Sequence, residues 1–147
     1  MPPIYTDEHE PPEVAAAFRE EGFRVIEVAK SHRLAARDEM EYLPELRHER
    51  GVFVTSDREH VGRLRAGRAR HPGIIFLDKN RWDRDAKVAL ASVMAETIKT
   101  AIKTLGSMGM YNIVLEAQAN GLYFRELDGK SKLFMSWVRY FGEHLDV

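Results

Sequence analysis

A short strand-like run that passes directly into a helical pattern is the feature that most constrains the fold of this chain. Residues 51–55 are Gly-Val-Phe-Val-Thr, a β-branched and aromatic run that is typical of a buried strand. Ser56 and Asp57 follow at once, and apolar residues at Val61 and Leu64 continue at helical spacing. In open α/β sheets, a carboxylate placed after a buried strand and before a helix lies at the edge that carries binding sites.

The same alternation of strand and helix extends along the chain. The predicted strands share apolar or alternating patterns bounded by turn residues, and they cover 4–7, 23–28, 52–54, 73–78, 111–116 and 122–127. The predicted helices share apolar spacings of three and four, and they cover 12–22, 38–46, 58–65, 83–105 and 131–141. This order predicts an α/β three-layer sandwich with a central, mostly parallel sheet and a C-terminal hairpin and helix, in one domain over 1–147.

Composition excludes several classes of protein. The chain has 147 residues and no cysteine, which excludes a disulfide framework, a thiol nucleophile and a thiolate metal site. No apolar run approaches the roughly 18 residues of a membrane span, and the N-terminus lacks the basic and apolar regions of a secretory signal. We therefore expect a cytoplasmic domain that does not enter a membrane.

Charge is unevenly distributed, although the formal net charge is only −1. Residues 1–46 carry 11 acids and 5 Lys or Arg, whereas residues 47–70 carry 3 acids and 7 Arg. An acidic region beside an arginine cluster suits a metal centre flanked by a phosphate-binding surface. The alternative for any single arginine is an ordinary solvated helix face.

Three acidic residues fall where strands end or helices begin. Asp7 ends the first predicted strand, Asp57 ends the third, and Asp38 starts the helix between the second and third. If the first and third strands are neighbours, these carboxylates converge, and they cannot all stay ionised without a cation. Oxygen ligands of this kind favour Mg²⁺ or Mn²⁺, and such ions promote in-line displacement at a phosphodiester.

Helix capping is the alternative for the same residues. The Ser/Asp-x-x-Glu spacing of a capping box recurs at three places, namely Asp7–Glu10, Asp38–Glu41 and Ser56–Glu59. Asp57 is itself a good N-cap residue. Each Asp taken alone therefore fits a helix start as well as a metal ligand.

Four segments together resemble the PIN-like nuclease family. They are Asp7-Glu8-His9, Arg37-Asp38-Glu39, residues 52–59 and residues 72–77. They resemble the small branch whose pattern is a strand ending Asp-Glu-Asn, an internal Asp that opens a helix, and a strand ending Val-Thr-x-Asp-x-Asp-Phe. The resemblance covers roughly residues 4–78 and extends loosely over the terminal hairpin and helix. It implies an Mg²⁺- or Mn²⁺-dependent endoribonuclease, in many members the toxin of a toxin–antitoxin pair.

Carried over by position, the resemblance implies catalytic roles for four acidic residues. Asp7, Asp38 and Asp57 correspond to metal ligands, and Glu59 stands in place of the second Asp of the family motif. The chain departs from the pattern at His9, where the family has Asn, at Glu59, and at His60, where the family has an aromatic residue.

Other polar residues near these acids receive secondary roles. Arg58 is a candidate contact to the scissile phosphate, and Arg63, Arg65 and Arg68 are candidates for RNA binding. Thr55 and Ser56 are candidates for orienting metal-bound water, with capping as the alternative for Ser56. His9 and His60 are candidates for proton transfer or for binding a softer metal.

Two other functions compete with the nuclease hypothesis. One is an inactive PIN-like module that binds RNA through its arginine-rich segment. The other is a phosphoacceptor receiver domain, which also has an acidic pair after its first strand and an Asp after its third, here Asp7-Glu8 and Asp57. Strand four ends in Leu77-Asp78 rather than in Ser or Thr, which opposes the receiver. An antitoxin protein and a homodimer contact through the last helix are further expected partners.

Overall fold

In the part of the chain that the structure describes, seven strands form a single mixed sheet. The computed structural model describes residues 1–31, 34, 43, 46, 51–66, 70–106, 110–126 and 129–144. The strands are β1 (Ile4–Thr6), β2 (Val25–Glu27), β3 (Val52–Thr55), β4 (Ile74–Phe76), β5 (Val114–Gln118), β6 (Gly121–Arg125) and β7 (Lys132–Ser136). The helices are α1 (Pro12–Glu20), α2 (Arg58–Ala66), α3 (Arg84–Leu105) and α4 (Trp137–His144), with a 3₁₀ turn at Val28–Lys30.

The strand order reverses between β1 and β3. The order across the sheet is β2-β1-β3-β4-β5-β6-β7, with β1 to β5 parallel and β6 and β7 antiparallel. After β1 the chain places β2 at one edge of the sheet, and from β3 onward it adds strands on the opposite side of β1. The carboxyl ends of β1 and β3 therefore lie side by side at a topological switch point, where open α/β sheets bind ligands.

Helices cover both faces of the sheet, and each face has its own core. One core joins α1 and α3 to the sheet and includes Val14, Phe18, Met94, Ile98 and Leu115. The other core lies on the opposite face and includes Tyr5, Leu43, Leu46, Phe53 and Ile74. Strands β3 and β4 are buried on both faces, which explains their continuous apolar sequences. The predicted α/β sandwich with a mostly parallel sheet is confirmed.

The longest helix has the boundaries that its sequence predicts. The Asp83 side chain accepts a hydrogen bond of 2.8 Å from the Ala86 amide and caps the N-terminus of α3. Gly106 ends the helix with φ of 87°, a conformation that favours glycine. None of the helices in the described ranges is both long and apolar enough to cross a membrane.

The main error in the predicted elements concerns the C-terminus. Residues 131–141 were expected to form one helix, whereas residues 132–136 form β7 and only residues 137–144 are helical. The antiparallel edge of β6 provides backbone partners for this segment, and that pairing overrides its helical apolar spacing. The predicted β5–β6 hairpin is confirmed, with the pair shifted to start at Val114. Most of the helix predicted over 38–46 lies outside the described residues.

Candidate functional site

Asp7 and Asp57 lie at the switch point, one after each of two neighbouring parallel strands. The Asp7 amide donates a 2.9 Å hydrogen bond to the Val54 carbonyl, which extends the pairing of β1 and β3 to the edge of the sheet. Asp7 is buried, at 6% exposure. Asp57 comes two residues after β3 and directly before α2. Both acids therefore lie at the same edge of the sheet, after neighbouring strands.

The buried hydroxyl of Thr55 connects the two aspartates. It donates a 2.9 Å hydrogen bond to Asp7 Oδ2 and accepts a 3.2 Å hydrogen bond from the Asp57 amide. Thr55 has no exposed surface. Because its hydroxyl is donor to one aspartate and acceptor from the other, Thr55 fixes the Asp7 carboxylate relative to the start of α2.

The imidazole of His60 lies between the two carboxylates. Its Nδ1 atom is 3.4 Å from Asp7 Oδ2, and its Nε2 atom is 3.4 Å from Asp57 Oδ2. His60 is on the first turn of α2, three residues after Asp57, so the helix itself directs the ring toward the sheet edge. A protonated imidazole here would balance two negative charges that otherwise repel each other.

The prediction of helix capping is correct for Asp57 and wrong for Ser56 and Asp7. Asp57 Oδ1 accepts a 2.9 Å hydrogen bond from the Glu59 amide, so Asp57 caps α2 with one oxygen and faces His60 with the other. The Ser56 hydroxyl donates to Glu10 instead. The N-cap of α1 is Pro11, and the Asp7 carboxylate is directed to β3 rather than to that helix.

A second buried group lies next to Asp7 and was missed by the sequence reasoning. Glu10 has a side chain only 1% exposed; Oε1 accepts from Ser56, and Oε2 is 3.7 Å from Lys87 Nζ. Burial raises the pKa of Glu10, and Asp7 raises it further, against the lowering effects of Ser56 and Lys87. The sequence signal that could have indicated a buried acid is Lys87, which lies four residues before the buried Ala91 and so on the inner face of α3.

Arg58 is held on the other side of Asp57 by two carboxylates. Its Nη2 atom is 2.8 Å from Asp78 Oδ2, just after β4, and 3.2 Å from Glu116 Oε2 on β5. Its guanidinium lies 5.0 Å from the centroid of the Phe76 ring. The hydrogen bond to Asp78 raises the pKa of Arg58. Burial would raise the pKa of Asp78, but the hydrogen bonds from Arg58 and the Asn80 amide lower it overall.

The remaining predicted site residues are more dispersed. Glu59 and Arg63 are exposed on α2, and His9 is exposed after β1. Asp38, Arg68 and the Arg65 side chain lie outside the described residues. Within the described ranges, no group of three His, Asp or Glu side chains is arranged to hold a metal ion. Among the described candidates, Asp7 and Asp57 face opposite ring nitrogens of His60.

Comparison with protein-family models, with curated proteins and with solved structures gives no match for this chain. Two carboxylates, an imidazole that can hold a proton between them, and a flanking arginine form a polar edge on a rigid parallel sheet. Such a group can bind a cation, accept or donate a proton, and orient an anionic substrate.

Proposed function

We propose that the protein is an Mg²⁺- or Mn²⁺-dependent endoribonuclease that hydrolyses phosphodiester bonds of RNA at the β1–β3 switch point. The observation that carries the proposal is the position of Asp7 and Asp57, which come from separate strands and face the same imidazole of His60. Two carboxylates that flank one group at a sheet edge favour a positive charge between them. The resemblance to PIN-like nucleases supplies the reaction class.

The oxygen donors at this edge are of the type that a hard divalent cation prefers. Asp7 and Asp57 offer carboxylate oxygens, and the nearby Glu10 Oε2 atom is buried and accepts no hydrogen bond from the described residues. The imidazole of His60 is a further donor that Mn²⁺ accepts more readily than Mg²⁺. Asp38 is the proposed third carboxylate. When bound, the ion would activate water and neutralise charge on the phosphate.

The protein's own residues would orient the reaction and move protons. Thr55 holds the Asp7 carboxylate in one orientation through its 2.9 Å hydrogen bond. His60 can hold a proton at either ring nitrogen, next to one carboxylate or the other. Arg58 keeps 59% of its side chain exposed while paired with Asp78 and Glu116, so it can still attract a phosphate. Glu59 is proposed to act from the rim of the site.

The wider biological role rests on the family resemblance. A cytoplasmic toxin that pairs with an antitoxin is the proposal that follows from it. The exposed apolar residues Leu133, Phe134 and Val138 of the C-terminal segment are consistent with a protein contact there, including a homodimer. The arginines of α2 and the following segment are proposed to bind RNA through its phosphates.

The strand order also favours a second candidate function. The order β2-β1-β3-β4-β5 is shared with the flavodoxin-like receiver fold, which places its acids at the same switch point. In a receiver, Asp57 would accept a phosphoryl group. Against this, the residue after β4 that faces Arg58 is an acid, Asp78. Incubation with acetyl phosphate followed by intact-mass measurement tests this candidate directly.

The substitution Asp57→Asn tests the nuclease proposal. Asn is as good an N-cap as Asp, so the variant keeps the start of α2 while it removes one negative charge facing His60. We expect Mn²⁺-dependent cleavage of a fluorogenic RNA to fall by at least about 100-fold, because a metal ligand is lost. Asp85→Asn is the matched control, since that carboxylate is 87% exposed and lies on α3.

Three results would contradict the proposal. One is a wild-type protein that cleaves no RNA with any divalent ion tested, and another is Asp57→Asn cleaving at the wild-type rate. A mass increase of one phosphoryl group, absent from Asp57→Asn, would replace the nuclease with the receiver. Cleavage lost equally in Asp85→Asn would point to a general loss of fold.

A further inference from the structure

A cavity of about 180 Å³ lies between the first two turns of α2 and the sheet face formed by β4, β5 and β6. Its α2 wall consists of Arg58, Val61 and Gly62. Arg58 directly follows Asp57, so the cavity begins one residue from the candidate site. Sites for drug-sized ligands span about 300–1,000 Å³, and this smaller volume suits a single planar ring system.

The floor of the cavity carries aromatic and charged side chains on one face of the sheet. Glu116 of β5 lies opposite Tyr123 of β6, and Val114 lies opposite Arg125. Alternate residues of a strand share a face, so Tyr123 and Arg125 both line the cavity, beside Phe76 of β4. Aromatic rings for stacking and charged groups for edge hydrogen bonds are the combination with which proteins recognise unstacked RNA bases.

The charged groups of the cavity are ordered before any ligand binds. Arg58 is fixed by its 3.2 Å contact to Glu116 and its 2.8 Å contact to Asp78. Glu116 also accepts a 3.3 Å hydrogen bond from Gln118. A carboxylate has about four lone-pair positions, so Glu116 keeps acceptor capacity for a ligand. A guanidinium beside a carboxylate offers donors and acceptors side by side.

We infer that this cavity binds one guanine base of single-stranded RNA. The inference rests on the proposed nuclease function and deepens it, because it places a base-reading subsite next to the cleaved phosphodiester. Guanine presents two neighbouring N–H donors, which the carboxylate of Glu116 can accept, and O6 and N7 acceptors, which an arginine contacts. Adenine, cytosine and uracil lack that pair of neighbouring donors. Tyr123 supplies the stacking surface, because the ring of Phe76 is buried beneath the Arg58 guanidinium.

Gly62 is a position on the cavity wall where a Cβ atom can be added without a clash. It lines the cavity from α2, and a Cβ atom built there meets no described atom within 4 Å. Gly62→Leu therefore adds a large side chain at the cavity wall, and Gly62→Ala is the matched control that adds only a methyl group. Leu and Ala both have a higher helix propensity than Gly, so neither substitution is expected to unfold the protein.

The test is mononucleotide binding in EDTA, measured by titration calorimetry and by saturation-transfer NMR. We expect 5′-GMP to bind at least ten-fold tighter than 5′-UMP or ribose 5-phosphate. Gly62→Leu should weaken GMP binding at least ten-fold, and Gly62→Ala should stay within about two-fold of wild type. In RNA that contains one G among U residues, the wild-type protein should cleave at a fixed distance from that G. Gly62→Leu should no longer prefer this position.

The possible failures are distinguishable. Equal binding of GMP and ribose 5-phosphate, or unchanged GMP binding by Gly62→Leu, overturns the guanine site and leaves the nuclease proposal standing. GMP binding that Gly62→Leu removes, in a protein that cleaves no RNA, supports the base site and overturns the nuclease. Asp57→Asn should bind GMP as the wild type does.

Discussion

The buried Thr55 hydroxyl offers the sharpest test of how the candidate site is held together. Thr55→Val keeps the shape and the β-branched character of the side chain, and removes the hydroxyl that joins Asp7 to the Asp57 amide. A hydrogen bond to a charged group contributes about 1.5–3 kcal/mol and a neutral one about 1 kcal/mol. The Asp57 contact is long, at 3.2 Å, and Asp7 Oδ2 keeps His60 at 3.4 Å. We therefore expect a loss of about 2–3 kcal/mol.

The assay is urea denaturation followed by the fluorescence of the two tryptophans. With a urea m-value of about 1–3 kcal/mol/M, the loss corresponds to a midpoint shift of about 1 M or more. Thr55→Ser is the control, because it keeps the hydroxyl and loses only a buried methyl, at about 1 kcal/mol. If Thr55→Val is no less stable than Thr55→Ser, the hydroxyl does not couple the two aspartates and the reasoning fails.

Two further predictions concern the buried acid and the basic segment. Glu10 binds its proton more tightly in the folded chain, so its contribution to the free energy of unfolding falls as pH rises from 4.5 through the raised folded pKa. Glu10→Gln should remove that decline in urea melts recorded between pH 4 and 8, and an unchanged pH slope would disprove it. Replacing Arg63, Arg65 and Arg68 together by Ala should weaken RNA binding and flatten its salt dependence. Filter-binding titrations at several salt concentrations measure both quantities, and equal slopes would show that these arginines contact no phosphate.

Much of the architecture could be predicted because it depends on local patterns. The apolar runs of β3 and β4 and the spacing of α3 are properties of neighbouring residues, as are the ends of α3 at Asp83 and Gly106. The placement of Asp7 and Asp57 at one edge needs one tertiary fact in addition, namely that β1 and β3 are neighbours. Parallel strands place their carboxyl ends at the same edge, so an acid after each of two adjacent strands lies at that edge.

The C-terminal strand could not be predicted from the same patterns. Residues 132–136 carry apolar residues at spacings that also fit a helix. Their conformation depends on pairing with the edge of the preceding strand, β6. That pairing, which apolar spacing alone does not indicate, decided between the two local choices.

The chain order of strands and helices, and the acids at the ends of β1 and β3, were determined by the sequence alone, because short-range spacing specifies both. Only the tertiary structure decided which side chains meet those acids. Lys87 reaches Glu10 from a helix 77 positions further along the chain, and Arg58 takes its two carboxylate partners from the segments after β4 and within β5. Such pairs depend on distances in space, and residues far apart in sequence carry no local signal of the contact they will make.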